Sequence, residues 1–261
     1  MADYILSLSY GKDSLACLGG IEELGWPLDR IIHAEVWATE TIPAELPEMV
    51  EFKKRADNTI KERWGIEVEH IRAKRTMEDV FYHRRTRGNR IGTIVGWPMT
   101  KGVKSGCELQ KALKVSPMNK ALKGNITYLG IAVDEPGRYN NITETKKSPL
   151  IEAGWTEERC RQWCKENGLL SPIYENTARG GCWFCPNQTI AQMRILRKKY
   201  PEYWALMLKW DKDSPVCFTS NTRKVHDYEK RFKMEDEKLI SADDRVFRWS
   251  MLDEPLNYRL F

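Results

Sequence analysis

Residues 4–24 constrain the fold of this chain more than any other stretch. Tyr4–Leu8 is a short apolar run, Ser9-Tyr10-Gly11-Lys12-Asp13-Ser14 follows it, and Leu15–Leu24 reads as a helix. A strand that passes through a tight turn into a helix aims the unpaired N–H groups of the helix start at whatever lies beyond the strand, and the helix dipole favours negative charge there. Phosphate is the natural occupant of such a place. Gly11 is expected to supply backbone freedom in the turn. Lys12 adds a mobile cation, Ser9 and Ser14 add hydroxyls, and Asp13 either caps the helix or holds a phosphate-bound metal. The spacing differs from a Walker loop, which needs G-x-x-x-x-G-K and then Ser or Thr, and from the dinucleotide loop G-x-G-x-x-G. An ordinary capped turn is the alternative. Position favours the phosphate reading, because the first βα turn is where open α/β sheets hold nucleotide phosphates.

Apolar, β-branched runs recur at Tyr4–Leu8, Arg30–Val36, Ile66–Ile71 and Ile126–Val133, with helical patterns at Ser14–Leu24 and Glu45–Trp64. That alternation predicts an α/β fold, a mostly parallel, doubly wound, Rossmann-like sheet with helices on both faces. Ile190–Tyr200, Glu202–Trp210 and Lys224–Lys238 read as helices broken by Pro201 and Pro215. The expected division is therefore a nucleotide-binding domain over 1–150 and a helical, cysteine-bearing region over 151–261. Arg84–Gly106, rich in Gly, Arg and Lys, is expected to be a long loop near the ligand. No apolar run approaches the roughly 20 residues that span a bilayer. No basic, apolar leader opens the chain, so a cytoplasmic protein without membrane contact is expected. A net charge of +5 leans mildly towards anionic partners.

Seven cysteines, Cys17, Cys107, Cys160, Cys164, Cys182, Cys185 and Cys217, form an odd set that suits a metal or redox role better than disulfides. Cys182-Trp183-Phe184-Cys185 is a CxxC, which serves as half of a metal site or as a redox dithiol. A thioredoxin-like dithiol belongs after an early strand, and this motif lies late in the chain. Cys160 and Cys164 are spaced i and i+4 in a predicted helix, Thr156–Asn167, and so share a face. Cys107, one helix cysteine and the CxxC pair would complete a tetrathiolate suited to an iron–sulfur cluster or to structural zinc. Cys17 and Cys217 read as packing residues.

The order of motifs resembles the phosphoadenosine phosphosulfate (PAPS) reductase-like branch of the N-type ATP pyrophosphatases, whose sheet is of the Rossmann-like HUP kind. S-x-G-K-D-S after the first strand is followed by Cys107 ahead of Leu113-Lys114-Val115-Ser116-Pro117. Then come Gly130-Ile131-Ala132-Val133-Asp134-Glu135-Pro136-Gly137-Arg138, Pro149-Leu150-Ile151-Glu152-Ala153-Gly154-Trp155, the CxxC, and Arg194–Trp204. The resemblance implies ATP at Ser9, Gly11, Lys12, Asp13 and Ser14, with Lys12, Asp13 and Arg138 acting in catalysis. It also implies magnesium at Asp134 and Glu135, with pairing to Arg138 as their structural alternative, and Glu35 on the nucleotide ribose. Arg84, Arg85, Arg87 and Arg90 are expected either to reach the phosphates or to form a solvated loop.

Two departures from the family pattern matter. Gly106 stands where the adenylylsulfate reductases have the first Cys of a pair, so the fourth ligand of a 4Fe-4S cluster on Cys107, Cys182 and Cys185 is assigned to Cys164, with Cys160 second. The E-C-G-x-H motif that carries the reductases' nucleophilic thiol is not found in this sequence, which ends Pro255–Phe261. The expected activity is thus adenylylation of an acceptor, nucleic acid or small molecule, with pyrophosphate release and sulfur transfer, served by a sulfur- or electron-donor protein. A sulfonucleotide reductase using Cys217 or a helix cysteine is one alternative, and a non-catalytic nucleotide sensor with zinc is another. A homodimer is compatible with either.

Overall fold

The computed structural model describes residues 2–97, 107–176, 181–219 and 222–253. The chain forms two compact units, the first built from 1–77 and 109–182 and the second from 78–108 and 183–261. This differs from a division at residue 150. The helix predicted at Thr156–Asn167 packs on the first helix of the sheet domain, so it belongs with the sheet.

The first unit contains β1 (Tyr4–Leu8), α1 (Lys12–Leu24), β2 (Arg30–Glu35), α2 (Pro47–Trp64) and β3 (Val68–Arg72). After the short helix α3 (Met77–Phe81), it resumes with a π-helix (Gln110–Val115), α4 (Ser116–Ala121), β4 (Ile126–Tyr128), β5 (Lys146–Lys147), α5 (Pro149–Glu152), α6 (Glu157–Glu166) and α7 (Ile173–Asn176). The strands form one parallel sheet in the order β3-β2-β1-β4-β5. The chain reverses direction across the sheet at β1, so the carboxyl ends of β1 and β4 flank a crevice of the kind that holds ligands.

Two-residue periodicity sorts the strand side chains. Leu6, Leu8 and Ile31 pack with α1, α2 and α6, while Ile5, Ile32 and Ala34 pack with Met118 of α4. Helices therefore cover both faces, as the alternation predicts. α1 is built of small residues where it meets its neighbours. A Cβ on Gly19 would lie 2.5 Å from Trp163 and 2.8 Å from Trp155, so only glycine allows this approach. β4 is shorter than predicted because the chain turns at Leu129–Gly130. β5 escaped prediction because it has two residues, both exposed lysines.

The second unit contains α8 (Ile190–Lys199), α9 (Pro201–Asp213) and α10 (Val225–Asp236). Trp183 and Trp210 stack in its core with Phe184 edge-on to both, beside Phe81, Trp97 and Phe218. Residues 83–95 fold back on themselves through Arg85 N to Thr93 O (2.9 Å) and Val95 N to His83 O (2.9 Å). The described part of the predicted Arg84–Gly106 loop is therefore a hairpin. Its remainder, with Gly106, and the chain end at 255–261 lie outside the described residues. Among the described residues no helix is long and apolar enough to cross a membrane.

Candidate phosphate site

The turn between β1 and α1 has its special backbone conformation at Tyr10, where φ is 56°. Gly11 has φ −77° and ψ 155°, which any residue adopts. The expected role of Gly11 as the conformationally free residue therefore passes to Tyr10. Asp13 does not cap the helix: Gly11 occupies that position without a side-chain cap. The turn is knitted by Ser14 instead. Ser14 Oγ accepts from Ser9 N (3.1 Å), donates to Gly11 O (3.0 Å) and lies 3.0 Å from Ser9 Oγ. Lys12 N donates to the Tyr174 hydroxyl at 3.0 Å.

Above this turn is a cavity of about 340 Å³, lined by Ser9, Gly11, Asp13, Ser14, Gly130 and Arg138 among others. Its size matches small-molecule sites. Gly130 lets the end of β4 approach the turn closely. A Cβ there would meet Ser14 N at 2.5 Å and the Asp13 carbonyl carbon at 2.7 Å, both backbone atoms. Hydroxyls, a helix N-terminus, Arg138 and Lys146 around a Cβ-free wall are a donor set that fits phosphate.

The charged groups are engaged with one another. Lys12 Nζ is 2.7 Å from Asp13 and 2.5 Å from Glu157. Burial pushes the Lys12 ammonium down, but these two partners outweigh it and hold it above its ordinary range. Burial raises the Asp13 carboxyl, and Lys12 offsets only part of that rise. Arg138 contacts Glu135 at 2.8 Å, which is the pairing alternative, and Glu135 also accepts from Ala132 N at 3.1 Å. Asp134 accepts from Glu157 N at 2.9 Å and so serves the start of α6. Asp13 is the carboxylate that lines the cavity.

Glu35 ends β2 and accepts from His70 Nδ1 and from Trp37 Nε1, each at 2.9 Å. The His70 bond, which outweighs burial, pulls its carboxyl down to about 2. Around it lies a polar cluster that the sequence reading missed. His33 and Glu35 alternate along β2 on the side facing α2, and His70 stands opposite His33 in register. Lys53 and Asp57, spaced i and i+4 on α2, point back at them: Lys53 Nζ lies 2.7 Å from His33 Nε2 and pairs with Glu45. Asp57 binds His70 at 2.9 Å and the Tyr10 hydroxyl. Polar residues at alternate places in an apolar strand were the available signal.

Of the proposed metal ligands, Cys164 and Cys182 belong to the first unit and Cys107 and Cys185 to the second. Cys164 is buried in α6 with its thiol donating to Lys12 O at 3.2 Å. Cys160 is buried one turn away, and its thiol is pushed up to about 12, chiefly by burial. Cys17 is buried in α1, as expected for a packing residue. Among the described residues no group of three or more His, Cys, Asp or Glu is arranged to hold a metal ion. The tetrathiolate expected from the sequence draws on both units, and no chemistry is routed through a cluster. The buried helix thiols are also poor candidates for a reductase nucleophile. Arg84, Arg85, Arg87 and Arg90 lie in the hairpin of the second unit.

No protein-family model matches the chain, and a search of curated proteins finds no match. Among solved structures the chain is similar to the U34-tRNA thiolase NcsA from Methanococcus maripaludis with its 4Fe-4S cluster. The identity is 15% and the TM-score 0.39, covering 88% of this chain and 80% of that chain. A superposition that low assigns nothing to this chain.

Proposed function

We propose that this chain is an ATP pyrophosphatase-type enzyme that adenylylates an acceptor and releases pyrophosphate. The observation that carries the reading is the cavity at the carboxyl ends of β1 and β4, walled by the first turn of α1 and by Gly130, which packs closely on that turn. The β- and γ-phosphates of ATP would lie against Ser9, Gly11 and Ser14, with Arg138 and Lys146 meeting their charge. Asp13 is the carboxylate available for magnesium. As an acceptor oxygen attacks the α-phosphorus, the bond to the β-phosphate oxygen breaks and pyrophosphate leaves into the turn. There fixed backbone dipoles stabilise the developing charge without reorganising, and Lys12 adds to them by turning from Glu157. The motif order described above supports the same reading.

The basic hairpin supports a nucleic-acid acceptor. Residues 80–107 contain six Lys or Arg and no Asp or Glu. Arg87 and Arg90 are exposed at the tip. Closely spaced arginines without intervening carboxylates suit a phosphate backbone.

The test is pyrophosphate release from ATP with RNA, DNA and small-molecule acceptors, repeated with Lys12→Ala and Asp13→Ala. Turnover with at least one acceptor, lost in both variants, is the expected result. Full turnover in both variants would reject the site.

A further inference from the structure

We propose that Tyr10 is a positioning residue, a side chain clamped from beneath the sheet edge that holds the phosphate turn in its receiving shape. The proposal rests on the nucleotide reading above and extends it to residues outside the cavity wall. Three observations lead to it.

The first is the backbone. Tyr10 stands at φ 56°, a region that a bulky L-residue occupies only when its surroundings enforce it. Its neighbours Ser9 and Gly11 both line the cavity. Any relaxation of Tyr10 towards ordinary φ therefore moves two walls of the site.

The second is the clamp. Tyr10 is fully buried. Its hydroxyl donates to Asp57 Oδ1 and lies 3.2 Å from His70 Nε2. The ring packs edge-on against His33 at 4.8 Å, with Lys53 Nζ 5.1 Å from its centroid. A core tyrosine needs one partner for its hydroxyl, whereas this one is fixed on its ring and at its oxygen by α2, β2 and β3 together.

The third is the charge arrangement behind the clamp. His70 Nε2 donates to Asp57 and Nδ1 donates to Glu35, each at 2.9 Å. Both ring nitrogens thus face carboxylates, and the imidazolium form joins Asp57 to Glu35. The other groups facing this cluster are His33 on β2, held neutral mainly by burial, the Lys53–Glu45 pair from α2 and the segment before it, and Lys114 of the π-helix. If His70 loses its proton, one of the two carboxylates loses its donor and the acceptor geometry at Asp57 loosens. The turn would then sense the protonation of a residue that touches no ligand.

Calorimetric titration with ATP, and separately with pyrophosphate, tests the proposal on wild type, Tyr10→Phe and His70→Gln. Tyr10→Phe keeps the ring packing and removes the hydroxyl's contacts with Asp57 and His70. It is expected to bind ATP about tenfold more weakly at neutral pH. Wild-type ATP affinity is expected to fall as pH rises through about 9, where His70 titrates. That inflection should vanish in His70→Gln, a change that loss of packing alone would not produce.

Amide exchange at Gly11–Ser14, measured without ligand, should accelerate in both variants. Wild-type affinity and wild-type exchange in Tyr10→Phe would overturn the proposal. If the wild type binds neither ATP nor pyrophosphate, the nucleotide reading fails, and the clamp stands or falls on amide exchange alone. If Tyr10→Phe does not fold, His70→Gln decides by the same two measurements.

Discussion

Replacing Gly130 by alanine should damage the phosphate site more than replacing the glycine inside the motif itself. The added Cβ would lie 2.5 Å from Ser14 N, 2.7 Å from the Asp13 carbonyl carbon and 2.8 Å from Ser14 Cα. No side chain can swing away, because all three are backbone atoms of the first turn of α1. To restore an ordinary separation of about 3.4 Å the turn must withdraw by about 0.9 Å. Over-packing of this kind costs about 1–3 kcal/mol. The thermal midpoint should therefore fall by roughly 2–4 °C per kcal/mol. The effect on binding should be larger in proportion, because a displacement of about 1 Å in a positioned site can cost about a hundredfold. We expect ATP affinity to fall at least tenfold. Gly11→Ala is the comparison: φ is −77°, and the nearest atoms to a new Cβ are the Tyr174 hydroxyl at 3.4 Å and Ser9 Oγ at 3.6 Å. It should bind nearly as wild type. Calorimetry with ATP on both variants, beside thermal unfolding, reads the difference. Unchanged affinity in Gly130→Ala with lost affinity in Gly11→Ala would refute the reasoning.

Other outcomes follow from the charges and thiols. Hydrogen bonds to Asp57 and Glu35 raise His70 to about 9, so its stabilisation is complete below its ordinary 6.5 and is lost as pH rises through about 9. Denaturant midpoints should fall over that window in wild type and not in His70→Gln. Glu35, held down at about 2 by His70, stabilises above its ordinary 4.5, and that contribution disappears as pH falls towards 2. Glu157→Gln should release Lys12 from one of its two carboxylates and tighten ATP binding by up to about fivefold, read by calorimetry, since a half-exposed pair is worth about 1 kcal/mol or less. Cys17, Cys160 and Cys164 are buried and their thiols are raised chiefly by burial, so a small alkylating reagent followed by mass spectrometry should label them only after unfolding.

The strands β1 to β4 were legible because each lies in its own apolar run and each early helix has its own period. β1 and the order of strand and helix follow directly from Tyr4–Trp64. The second unit was harder to place, because its first segment, 78–108, is separated in sequence from its helices by the rest of the sheet domain. No local pattern announces that Phe81 and Trp97 pack with Trp210. At the site, the sequence points to Ser9, Gly11, Lys12, Asp13, Ser14, Glu35, Asp134, Glu135 and Arg138, of which Ser9, Gly11, Asp13, Ser14 and Arg138 line the cavity. It misassigns the source of the turn's geometry, since glycine is the usual bearer of positive φ and here a tyrosine bears it. It also reads Cys160 and Cys164 correctly as sharing a face, but that face packs on α1. An i, i+4 spacing fixes which residues lie together and says nothing of what they face.

The two residues that shape the site, Gly130 and Tyr10, act from opposite sides of one helical turn. Gly130 sets how closely the end of β4 approaches Asp13 and Ser14. Tyr10 sets the path by which the chain leaves β1 and enters that turn. Tyr174 adds a third restraint through Lys12 N. A turn held at three points by residues that lie outside the S-x-G-K-D-S pattern or at its variable position cannot rearrange cheaply when an anion arrives. The ordering cost has been met at folding, mainly by burial of Tyr10 and its partners. That is the condition under which backbone dipoles stabilise a leaving group most effectively. It also explains why the partly exposed polar cluster of Glu35, Asp57 and His70 lies beside the site without lining it.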